Sequence, residues 1–123
     1  MDRGLLLHDA DCGFCMRTAR QVPRLGLPID QASIQEVDLA AHGVDAERAV
    51  REMPYIHPDG RVVYGHAAWA AALRTGRLPW RLVGRVITSR PIDPLAIRVY
   101  RWVSEHRHQL PGGTPACALD QRP

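Results

Sequence analysis

The chain has 123 residues, 46% hydrophobic and 24% charged, with a formal net charge of +3. These values lie near the globular average and exclude intrinsic disorder and collagen-like repeats; one domain is expected, large enough to fold without a disulfide staple. No apolar run approaches the roughly 18 residues of a membrane span, and the leucines after Met1-Asp2-Arg3-Gly4 are too few for a signal-peptide core, so a cytoplasmic protein is expected.

Residues 4–8 (GLLLH) are apolar and end abruptly in polar residues, which predicts a buried strand. Asp9-Ala10-Asp11 makes a turn, and Asp11 is expected to cap a helix starting near Cys12. Pro23 disrupts that helix's last turn and Gly26 ends it. A second strand is predicted over residues 33–39, where Ile34, Val37 and Leu39 alternate imperfectly with polar residues. Asp45 caps a short helix that ends at Met53-Pro54, because the residue before proline leaves the helical region. Residues 55–64 form a hairpin about the turn Pro58-Asp59-Gly60-Arg61. A helix follows from His66 to about Thr75.

The remainder is helical. A segment from Pro79 carries Leu82, Val83, Val86 and Ile87. Asp93-Pro94 starts a second helix, with Leu95, Val99, Trp102, Val103, His106 and Leu110 as its apolar stripe. The predicted class is α/β: a thioredoxin-like β-α-β-α-β-β-α core over residues 1–76, a helical extension over 77–111 packed on it, and a tail over 112–123.

Charge is uneven. Residues 1–73 hold seven arginines against ten acidic residues, whereas residues 74–107 hold eight against Asp93 and Glu105. The basic segment is either a solvated helix face or a surface for an anionic or membrane-surface partner. No nucleic-acid-binding motif is present, and no nucleic-acid partner is expected.

Chemistry points to Cys12-Gly13-Phe14-Cys15, where a strand ends and a helix begins. Unpaired N–H groups and a partial positive charge at a helix N-terminus stabilise a thiolate. Cys12 is therefore the candidate nucleophile, and Cys15, one turn on, the resolving thiol. Gly13 permits close approach of a partner, and Phe14 offers an apolar contact. Asp9 either accepts a proton from Cys15 or holds the loop through backbone amides. Arg17 either holds an anionic thiol or lies on a solvated face. Cys117 is a third redox thiol or a bland cysteine. A zinc or iron–sulfur site would need further ligands, and neither a second Cys-x-x-Cys nor a suitably spaced histidine pair exists. No metal and no cofactor are expected. In thioredoxin-like proteins a cis-proline opens the third strand opposite the cysteines. Pro54 holds the matching place, so a cis Met53–Pro54 bond is expected, shaping a groove and freeing Met53's backbone to pair with substrate.

Asp9-Ala10-Asp11-Cys12-Gly13-Phe14-Cys15 after an apolar strand resembles the D-x-x-C-x-x-C motif of the DCC family of predicted thiol-disulfide oxidoreductases, with Ala10 where many members have glycine. Residues 59–68 (DGRVVYGHAA) resemble its D-G-x-V-x-x-G-x-x-A segment, and Cys117-Ala118-Leu119-Asp120 the cysteine-containing end of some members. The resemblance implies a thioredoxin-like fold and exchange with a protein or low-molecular-weight thiol or disulfide. The rival readings are a non-catalytic binding module with a basic docking face, and a small zinc or iron–sulfur protein using Cys12 and Cys15.

Overall fold

A computed structural model describes residues 3–110 and 113. Strand β1 (Leu5–His8) lies inside a four-stranded sheet of order β2-β1-β3-β4, with β2 at Asp30–Ser33, β3 at Pro54–Ile56 and β4 at Val62–Tyr64. β1 runs parallel to β2 and antiparallel to β3, and β3–β4 is the expected hairpin. The helices are α1 (Gly13–Gln21), α2 (Ala46–Arg51), α3 (His66–Arg74), α4 (Trp80–Ile87) and α5 (Asp93–His106). This is a thioredoxin-like α/β fold.

The core follows from strand alternation, since successive side chains point to opposite faces of a sheet. Leu6 and Tyr55 join one buried cluster with Val22, Ile29, Met53 and the Ala68–Ala72 face of α3. Their neighbours Leu7 and Ile56 join another with Ile34, Val44 and Ala49. Covered on both faces, β1 needs the unbroken apolar run its sequence supplies.

Several local expectations hold. Asp45 caps α2, its Oδ1 accepting from the Glu47 and Arg48 N–H groups. A 3-10 turn over Val22–Leu25 follows α1 and stops at Gly26, whose φ of 69° favours glycine. In the hairpin turn, Arg61 N–H donates to Asp59 Oδ1 at 2.9 Å.

Two expectations fail. The second strand lies at Asp30–Ser33, before the predicted 33–39. Ser33 and Glu36 bond reciprocally, Ser33 N–H to Glu36 Oε1 and Glu36 N–H to Ser33 Oγ, which turns the chain as the strand ends. Ile34, Val37 and Leu39 reach the core from that turn and loop instead. The apolar stripes of α4 and α5 also do not point inward as a set: Leu82, Val86, Leu95, Val99 and Trp102 are exposed.

The orientation of α4 is set by Gly84, its buried residue. A Cβ there would stand 2.6 Å from the Ala70 carbonyl oxygen and 3.1 Å from the Arg74 amide nitrogen, both backbone atoms of α3. Gly84→Ala therefore opposes two effects: about 1 kcal/mol gained in helix propensity against roughly 1–3 kcal/mol of overpacking. A net loss of stability is expected in denaturant unfolding. A stabilised variant would show that α4 does not pack this closely on α3.

Candidate active site

The site is built where β1 ends. Asp9 is buried, and its Oδ1 accepts from Asp11 N–H at 3.0 Å and from Gln35 Nε2 at 2.8 Å. This fixes the turn before the cysteines and ties it to the loop after β2. Asp11 is not the helix cap. The N-cap residue of α1 is Cys12 itself, with no side-chain cap bond, while Asp11 Oδ2 accepts from Gln35 Nε2 at 3.2 Å. Because Asp9 engages the Asp11 amide, the helix starts one residue after the position Asp11 would have capped.

Cys12 and Cys15 pack together with Phe14 against them, and both are buried, at 0% and 3% exposure. Cys12 is disulfide-bonded and Cys15 is a free thiol, so the pair is not closed on itself. Cys117 lies outside the described residues. Burial pushes the Cys15 thiol above its ordinary 9.0; the Arg107 guanidinium pulls the other way, the Asp9 carboxylate adds to the rise, and a hydrogen bond from the Asp9 backbone opposes it.

Arg107, which the sequence did not single out, is central. It is 5% exposed, its Nη1 donates to Cys15 Sγ at 3.2 Å, and its Nη2 donates to the Val50 carbonyl. Two more residues of the same segment engage the same stretch of backbone. Ser104 Oγ donates to the Arg51 carbonyl, and Met53 N–H donates to Tyr100 Oη at 2.9 Å. Positions 100, 104 and 107 share one helical face. Tyrosine, serine and arginine spaced by four and three were the available signal, hidden by the more conspicuous apolar stripe beside them.

Met53 shares a cavity wall with Cys15, and Pro54 opens β3 directly after Met53, but not as expected. Among the described residues the cis peptide is Leu78–Pro79, so Met53–Pro54 is trans. Met53's backbone is also occupied: its N–H by Tyr100, its carbonyl by the Gly65 N–H at 3.0 Å. No pairing position for a substrate strand is left there. Met53's side chain instead lines a cavity of about 350 Å³ with Phe14, Trp69 and Val99, and Cys15 and Arg107 are in its wall. Gly13 is half-buried in the first turn of α1. Arg17 is exposed and does not line the cavity.

His66, also in the cavity wall, is bonded to Asp93 through Nε2 and Oδ1 at 2.7 Å, which pins the starts of α3 and α5 to each other. His8 closes β1, and burial holds its imidazole below the ordinary 6.5 against the pull of Glu36 and Asp9. Among the described residues no three His, Cys, Asp or Glu side chains converge to hold a metal ion.

Over residues 6–113 the sequence matches the family described as DCC1-like thiol-disulfide oxidoreductase. The chain belongs to this family. The match spans the sheet, the cysteine pair and α5, so Arg107 falls within it. No curated protein and no solved structure matches the chain. Family membership supports a redox function in general and leaves the substrate to be argued from the site.

Burial pushes the Tyr100 hydroxyl up to about 12. Cys15 and Tyr100 are both acids whose folded-state value is raised. The folded chain thus keeps protons that the unfolded chain has already released, and stability falls as pH rises. The loss is expected to begin near the ordinary cysteine value of 9.0 and to continue through about 12. Tyr100→Phe should flatten the part above 10.0 and cost about 1–3 kcal/mol at neutral pH, because the Met53 amide loses its acceptor. Unfolding titrations at stepped pH measure both. An unchanged alkaline slope in the variant would remove Tyr100 from this account.

Proposed function

We propose that the protein is a thiol-disulfide oxidoreductase in which Cys12 is the exchanging sulfur and Cys15 the resolving thiol. The observation that carries this is the Cys15 thiol, buried one helical turn beyond Cys12 with a guanidinium on its sulfur. A cation at that sulfur stabilises the thiolate and disfavours a bound metal cation, which supports exchange over the zinc or iron–sulfur reading.

The Cys12 thiolate attacks one sulfur of a substrate disulfide. The Cys12–substrate bond forms, the substrate's own S–S bond breaks, and one substrate thiolate leaves. Cys15 then gives up its proton and attacks the Cys12 sulfur. The Cys12–Cys15 disulfide forms and the second substrate thiolate departs. Two electrons pass to the substrate, and the reverse sequence oxidises a substrate dithiol.

Cys15 is raised by burial, so the second step depends on whatever lowers it. Arg107 is a positioning residue in this scheme: it aims the sulfur and favours its anion. Asp9 fixes the turn before the cysteines; its backbone bond favours the Cys15 anion, while its carboxylate charge opposes it. Phe14 and Met53 give the neighbouring cavity an apolar wall, which suits a protein side chain or an apolar thiol. Gly13 gives a substrate close approach at the first turn, Pro54 opens β3 directly after Met53, and Asp11 braces the loop through Gln35.

Cys12→Ser should abolish exchange, while Cys15→Ser should accumulate a mixed disulfide at Cys12, read by mass spectrometry after incubation with a small disulfide. Failure of Cys15→Ser to trap any adduct would overturn the assignment. Arg107→Gln should move the pH profile of resolution upward, with about a tenfold slower rate at neutral pH for each unit moved, and raising the pH should restore the rate. A loss of rate that pH does not restore would make Arg107 merely structural.

A further inference from the structure

Among the described residues, every large hydrophobic side chain that is exposed lies between Leu78 and Trp102. Leu82 is 56% exposed on α4, and Leu95 and Trp102 are 58% and 54% exposed on α5. An arginine directly precedes five of these exposed residues: Arg77-Leu78, Arg81-Leu82, Arg85-Val86, Arg98-Val99 and Arg101-Trp102. One residue is about 100° of helix, so on α4 and α5 each such arginine emerges at the flank of the apolar stripe. Its aliphatic stem can lie along that stripe with the guanidinium at its edge.

Among the described residues these charges meet no carboxylate, though Arg81 Nε donates to the Gly76 carbonyl at 3.3 Å. No acidic residue occurs between Asp59 and Asp93, and Asp93 is bonded to His66. Among the described residues no carboxylate pairs with Arg77, Arg81, Arg85, Arg98 or Arg101. Arg81 and Arg85 are four apart on α4, a like-charge spacing that opposes a helix unless an anion relieves it. The face is built against itself electrostatically and exposes hydrocarbon to water.

We propose that the outward face of α4 and α5 docks the protein on an anionic lipid bilayer surface. Leucine, valine and tryptophan enter the boundary between headgroups and acyl chains, and the flanking arginines meet lipid phosphates. Charge complementarity selects this occupant. A second copy would bring arginines against arginines, and a nucleic-acid backbone would use the arginines but leave the leucines and valines without an apolar partner. The contact is peripheral, since among the described residues no helix is long and apolar enough to cross a membrane. Val99 belongs both to this face and to the cavity wall that holds Cys15, so docking places that cavity beside the lipid.

The test uses the full chain with vesicles of phosphatidylcholine alone or with about one third phosphatidylglycerol, separated by sedimentation at low and high salt. Binding should be about tenfold or more tighter to the anionic vesicles, weaken with salt, and shift the tryptophan emission to the blue. Leu82→Asp with Val86→Asp should each remove hydrocarbon contact and together abolish binding. Arg81→Gln with Arg85→Gln should weaken it by roughly tenfold or more. Near-UV dichroism confirms that both double variants fold. No binding of the wild type, equal binding to both vesicles, or binding unchanged in the variants would overturn the proposal, as would self-association that hides this face. Both variants should still reduce a small disulfide at the wild-type rate, so failure of docking and failure of the redox reading are separable.

Discussion

A guanidinium buried between a cysteine sulfur and a backbone carbonyl is the constraint around which the site is arranged. Burying an arginine costs several kcal/mol unless its charge and its donors are met. Here Cys15 Sγ and the Val50 carbonyl meet them, and both are reached only if the chain beyond α5 returns to the cysteine helix. Tyr100 and Ser104 fasten the same face to Met53 and Arg51. The C-terminal segment is thus part of the cysteine site, since it supplies the charge that opposes the desolvation of the Cys15 thiol.

The same seam explains why Met53 has no free backbone. Tyr100 and Gly65 take the hydrogen-bonding groups that a substrate strand would otherwise use. Apolar volume is present instead, in the cavity bordered by Phe14, Met53 and Trp69. Recognition in this chain is therefore better suited to side-chain or small-molecule contact than to strand addition at that position.

The seam also determines what is left outside. Once residues 100, 104 and 107 face inward, the opposite side of α5 faces water and carries Leu95 and Trp102, with Val99 at the border between the cavity and the exposed face. Gly84 does the same for α4, because only a residue without a Cβ lets that helix sit on the backbone of α3. A stripe that periodicity marks as core becomes a surface flanked by arginine. The docking proposal and the redox proposal thus draw on different faces of one helix, which meet at Val99.

Much was determined by the sequence itself. The apolar run of β1, the Asp45 cap, the Asp59-Gly60 turn and the Cys-x-x-Cys at a strand-to-helix junction are local features, set by side-chain period and backbone preference within a few residues. With the D-x-x-C-x-x-C motif they sufficed for the fold class and the family. Tertiary structure decided the rest. The register of β2 depends on a Ser33–Glu36 turn whose bonds compete with the strand pattern of 33–39. The place of Arg107 depends on a contact across 92 residues that no local pattern encodes. The facing of α4 and α5 could not be read from hydrophobicity, because a buried arginine and a glycine packed on backbone outweigh an apolar stripe once polar partners are waiting on the other side.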